Sequence, residues 1–200
     1  MISAEEAIQR LREGNQRFVT GNQERAMHEK HRTELVAGQN PFAVILGCSD
    51  SRVPAELVFD QGLGDLFVIR VAGNIVAPSQ VGSVEFAVEC FGTQLVVVLG
   101  HTLCGAIQAT LEQLDQPQEL RSANLASIVN RIRPSIETLV DVATTPEKLV
   151  QLAVRANIRA SVNQLQHGSV ILENLVQQGK LTIVGAEYSL ETGVVKIFDY

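Results

Sequence analysis

The chain has 200 residues, a formal charge of −6, 46% apolar and 19% charged residues. That is the make-up of a single globular domain large enough to bury its own core, with no apolar run long enough to span a bilayer. The acidic balance and the absence of Trp argue against nucleic acid or an anionic membrane as partner, and against base-stacking platforms.

The opening Met1-Ile2-Ser3-Ala4-Glu5-Glu6 is acidic and polar, unlike a secretory signal, which predicts a cytoplasmic protein. Ser3 and Glu6 form a capping-box pattern, and Ile8 and Leu11 share one helical face, so a helix is expected from there to about Phe18. A second helix is expected near Met27–Val36. Residues 1–40 then form an amphipathic arm of the same domain, suited either to a neighbouring subunit or to its own sheet, and residues 41–200 carry the α/β part. Phe42–Gly47 is a short β-branched run that reads as a buried parallel strand. Pro54 opens a short helix over Val53–Phe59, Gln61–Asp65 is turn chemistry, and Leu66–Val71 reads as a second buried strand. A helix over Gln80–Phe91, with Cys90 in its core face, leads into a third strand at Leu95–Leu99. Further helices are expected from near Cys104 to Leu114, over Ser122–Val142 with a break at Pro134, from Pro146 behind the N-cap Thr145 to about Gln166, and over Val170–Gln177. A fourth strand at Leu181–Gly185 and an edge strand at Val194–Phe198, returning through Glu191-Thr192-Gly193, complete the pattern. The fold class is α/β: one domain, a mainly parallel central sheet flanked by helices, with an antiparallel edge strand near the C-terminus.

Two of these strands end in the chemistry that matters. Phe42–Gly47 runs into Cys48-Ser49-Asp50-Ser51-Arg52, and Leu95–Gly100 into His101-Thr102-Leu103-Cys104. In open α/β sheets the functional crevice lies at the carboxyl ends of the strands. Cys48, His101 and Cys104 are therefore expected to meet there as a three-ligand zinc site, the fourth position being left for water. Three cysteines cannot make a disulfide framework, which favours metal, catalysis or burial. A helix starting at Cys104 favours its thiolate. Asp50 and Arg52 can lie on the same side of an extended segment, where the Arg fork keeps the carboxylate ionised. The carboxylate then either accepts a hydrogen bond from zinc-bound water or hydroxide or serves as a fourth ligand; charge counting separates the two, formally neutral with water and −1 with the carboxylate. A water or hydroxide held in this way is a nucleophile. Two thiolates make zinc a weaker Lewis acid than three imidazoles do, so activity is expected to rise above neutral pH.

Cys48-x-Asp50-x-Arg52 with His101-x-x-Cys104, flanked by Ser51-Arg52-Val53-Pro54 and Val71-Ala72-Gly73-Asn74, resembles the signature of the β-class carbonic anhydrases over nearly the whole chain. The resemblance implies one zinc ion per subunit, interconversion of carbon dioxide and bicarbonate, and an obligate homodimer or homotetramer with active sites at the subunit interface. It implies zinc ligands at Cys48, His101 and Cys104, a catalytic dyad at Asp50 and Arg52, and a substrate pocket of Gln39, Phe67, Ala72, Phe86 and Gly105. Part of that pocket comes from the neighbouring subunit, so a lone monomer is expected to be inactive. A bicarbonate-inhibited subgroup carries Trp where this chain has Ile45, while Arg70 and Tyr188 match the rest of that subgroup's anion site. The competing readings are a related zinc hydrolase acting on carbon disulfide or carbonyl sulfide, a non-catalytic zinc-stabilised binding module, and a Cys104–His101 nucleophile pair.

Overall fold

In the computed structural model, residues 2–23, 33–115, 122–141, 143 and 145–198 are described. The first helix, α1 (Ala4–Thr20), starts at the expected capping box: Glu6 N–H donates to Ser3 Oγ, and Ser3 N–H donates to the Glu6 carboxylate. Ala7 and Leu11 are fully buried on one stripe of it. Buried Asn15 then ties α1 to its own domain, donating to the carbonyls of Val58 and Gly193 and accepting from Val195 N–H. The helix expected near Met27–Val36 lies mostly outside the described residues, and a single 3₁₀ turn occupies Glu34–Ala37.

Strand β1 (Ala43–Gly47) is buried throughout. It is followed by α2 (Ala55–Val58), β2 (Leu66–Arg70), α3 (Pro78–Phe91) and β3 (Leu95–His101), the last buried at every position. Then come α4 (Gly105–Asp115), α5 (Ala123–Ile136), α6 (Pro146–His167), α7 (Val170–Gln177), β4 (Thr182–Tyr188) and β5 (Val195–Ile197). The described strands form one sheet in the order β2-β1-β3-β4-β5, with β5 alone antiparallel to its neighbour. Because side chains alternate along a strand, Val44, Leu46, Val96 and Val98 face one core with α3 and the later helices. Ile45, Val97 and Leu99 face the other, with α1 and α2. Both faces being covered is why these strands carry unbroken apolar runs.

Four expectations need correction. β2 lies at the sheet edge, so Phe67 and Val68 are only half-buried. Cys90 is exposed: the buried stripe of α3 runs through Val84, Ala87 and Val88, and Cys90 falls off it. Pro134 does not break α5, because burial of Ile132 and Ile136 holds the helix to Ile136, and the 3₁₀ turn Glu137–Leu139 follows instead. The strands β3 and β4 both run beyond their predicted ends, and this makes His101 a strand residue rather than a turn residue. Among the described residues, no helix is long and apolar enough to cross a membrane.

Candidate metal centre

β1 and β3 are neighbours, with Gly47 opposite Leu99, so Cys48 just past β1 and His101 at the end of β3 share one carboxyl edge of the sheet. Leu103 sits in the left-handed region at φ 56° and turns the chain so that Cys104 comes back beside His101 as α4 begins. The two sulfurs lie 4.0 Å apart. All three donor atoms lie within 4.8 Å of one another, on side chains that are 5%, 0% and 1% exposed. A tetrahedral zinc with the usual bond lengths separates its ligand atoms by about 3.6–3.8 Å, so the cluster closes on an ion with movements of about an ångström.

The imidazole is set for that role. His101 Nδ1 is 2.9 Å from the Thr102 carbonyl, to which it donates its proton, leaving Nε2 as the lone-pair nitrogen. Nε2 is buried and has no hydrogen-bond partner. A buried nitrogen aimed at two thiols and bonded to nothing is what a cation would satisfy. The thiols are electrostatically unequal without one. Hydrogen bonding from Cys104 and from the backbone holds Cys48 down to about 4 despite its burial. The Cys48 sulfur and burial push Cys104 up, against the N–H groups of Ala106 and Ile107 at the start of α4. A divalent cation between them removes that conflict.

Asp50 and Arg52 form the predicted fork. Arg52 Nε donates to Oδ1 at 2.9 Å, Nη2 to Oδ2 at 2.7 Å, and its backbone N–H also donates to Oδ1. These bonds hold the Asp50 carboxyl well below the usual carboxylate range. Oδ2 is 3.8 Å from His101 Nε2, so the carboxylate borders the donor cluster. Arg70, expected at an anion site, and Gly73, part of the flanking motif, take roles the sequence did not mark. Arg70 donates to the carbonyls of Cys48 and Asp50, pinning the loop that carries both. The N–H of Gly73 donates to Cys48 Sγ at 3.4 Å.

The family model for carbonic anhydrase matches residues 43–195. This chain belongs to the β-class carbonic anhydrases. Carbonic anhydrase 2 of Mycobacterium tuberculosis is 39% identical to it over 191 residues, covering 95% of this chain and 90% of its own. The β-carbonic anhydrase CcaA superposes with a TM-score of 0.78 at 30% identity, over 97% of this chain and 88% of that one. A tetrameric β-carbonic anhydrase from Sordaria macrospora has the same fold, with a TM-score of 0.75 at 23% identity over 88% and 90% of the two chains.

The remaining residues expected from the β-class resemblance fall into three places. Ala72 lies in the turn that presents Gly73 to Cys48, and Gly105 opens α4 where an added Cβ would meet nothing within 4 Å. Phe67, Phe86 and Phe91 form a cluster of tilted and edge-on rings 5.7–6.2 Å apart, and Phe86 is 51% exposed. Gln39 is exposed and lines a separate surface cavity of about 450 Å³ with Leu35, Gly38, Gly64 and Phe91. Arg70 is engaged with the Cys48–Asp50 loop, whereas Tyr188 and Ile45 belong to the core on the α1 face. There the Tyr188 ring lies 6.4 Å from Phe18, and burial raises its hydroxyl pKa.

Proposed function

We propose that this β-class enzyme catalyses the reversible hydration of carbon dioxide to bicarbonate and a proton at one zinc ion held by Cys48, His101 and Cys104. The buried, unpartnered Nε2 of His101 facing two thiols carries this reading. When bound, zinc supplies the Lewis acidity that makes a water nucleophilic near neutral pH. The protein's own residues do the rest. Asp50, kept ionised by the Arg52 fork, accepts a hydrogen bond from the reacting water through the oxygen nearer His101 and orients its attack. Arg70 fixes the loop that sets the Cys48–Asp50 spacing. With both Asp50 oxygens engaged by Arg52, the carboxylate is restrained from closing on the metal as a fourth ligand.

Carbon dioxide is small and uncharged, and an apolar wall suffices to hold it. Ala72, Phe67 and Phe86 supply that wall, and the Gly105 N–H meets a bound oxygen. Gln39 belongs to the pocket of a second subunit, which fits its place on a surface cavity that neither Cys48 nor Cys104 lines. The half-buried edge strand β2 and exposed Phe86 support a homodimer, and the tetramer seen in the fungal relative extends naturally to this chain. Metal analysis combined with stopped-flow carbon dioxide hydration at neutral and alkaline pH tests the reading. One zinc per chain and turnover that rises above neutral pH are expected. Zinc with no turnover at alkaline pH would leave a binding module instead.

A further inference from the structure

Helix α6 carries two polar side chains on a face otherwise occupied by Ala153, Val154, Ile158, Val162 and Leu165. Asn157 and Ser161 lie one turn apart and are each 3% exposed. Asn157 Nδ2 donates to the Gly73 carbonyl at 2.8 Å, and Ser161 Oγ donates to the Asn74 carbonyl at 3.0 Å. The turn they hold is one the backbone does not favour by itself. Gly73 and Asn74 are consecutive left-handed residues, at φ 69° and 44°. Gly73 is also hemmed in, since a Cβ there would lie 2.8 Å from Ile132 Cδ1 and 3.0 Å from Ala106 Cβ. The N–H of this same Gly73 points at Cys48 Sγ.

We propose that Asn157 is a positioning residue for the metal centre, supported by Ser161: by gripping the Gly73 carbonyl it keeps the Gly73 N–H on the Cys48 sulfur. A hydrogen bond to a thiolate draws off part of its charge, so the sulfur gives less to the cation and leaves it a stronger Lewis acid. The helix thereby sets the electronics of a ligand it does not touch. Ser161 fixes the next carbonyl, which stops the turn from rotating about Gly73.

The inference rests on Cys48 being a metal ligand, and cobalt separates the two claims. Full-length protein and the Asn157→Leu variant are loaded with Co²⁺ in place of zinc and compared by absorption and chelator competition. The variant is expected to shift the sulfur-to-cobalt charge-transfer band to lower energy and, with the sulfur no longer held in place, to bind cobalt roughly 10-fold more weakly despite its stronger donation, with its far-ultraviolet circular dichroism unchanged. If Asn157→Leu does not fold, Asn157→Ser, too short to reach the Gly73 carbonyl, gives the same readout. A folded variant with an unshifted band and unchanged affinity overturns the positioning role. A wild-type protein that takes up no cobalt overturns the metal assignment and this inference with it.

Discussion

Binding of a divalent cation should displace one proton from the two sulfurs, and the pH dependence of affinity reads that number directly. Two thiolates 4.0 Å apart repel by about 4 kcal/mol at the effective dielectric of a protein site, roughly three pKa units. Without an ion they therefore cannot both ionise near neutral pH. Cys48 is the one that does so, held down to about 4 by Cys104 and the backbone, while Cys104 is pushed above the ordinary thiol range. Between about pH 7.5 and 9, the incoming cation finds one thiolate ready and must expel the proton of Cys104. Apparent affinity should then rise tenfold per pH unit, about 1.4 kcal/mol each. Competition between the protein and a chelator for Cd²⁺, whose aqua form stays protonated over this window, measures the slope. Calorimetry in two buffers of different ionisation enthalpy counts the proton independently. A slope of two would mean that both thiols start protonated, and a slope of zero that both start ionised. Either result refutes the unequal pair.

Replacing Arg52 by Ala removes both side-chain bonds to Asp50 and leaves only the backbone N–H on Oδ1, which frees Oδ2, already 3.8 Å from His101 Nε2, so the carboxylate can move onto the metal. The variant should keep one zinc per chain by elemental analysis but lose about 10- to 100-fold in hydration rate; an unchanged rate would refute the dyad. A Cβ at Gly100 would sit 2.5 Å from Ile158 Cδ1 and 2.6 Å from its Cγ1. Gly100→Ala should therefore cost about 1–3 kcal/mol in urea unfolding. Leu103 holds φ 56°, a conformation that costs an L-residue about 1–2 kcal/mol. Glycine relieves it but loses roughly 0.5–1 kcal/mol to unfolded-state entropy. Leu103→Gly should thus raise the melting temperature slightly, and a fall of several degrees would place the Leu103 side chain in a packing role.

The strands nearest the centre were legible because burial on both faces leaves a run of Val, Ile and Leu that few other structures tolerate. Helix starts were legible for a different reason: Ser3 and Thr145 each place an acceptor where the first free N–H groups need one. What the sequence hid was tertiary. Phe67 and Val68 look as buried as Val97, and only the strand order shows that β2 stands at an edge. Cys90 follows apolar neighbours, yet one step of helical rotation turns it to the surface. Pro134 signals a break that buried Ile132 and Ile136 override.

The convergence of Cys48, His101 and Cys104 could be read from spacing because zinc favours thiolate and imidazole donors, and few residues in the chain supply them. The parts that tune it carry no such mark. The Gly73 N–H and the Thr102 carbonyl act through the backbone, and any residue type supplies those atoms. Arg70 and Asn157 also bond to backbone carbonyls, Arg70 from 22 residues away from Cys48 and Asn157 from 84 residues away from Gly73. Their identity follows from reach and burial in the folded chain rather than from any local pattern. The three candidate donors are thus written along two short segments, while the contacts that hold them are spread over β2, the 72–74 turn and α6.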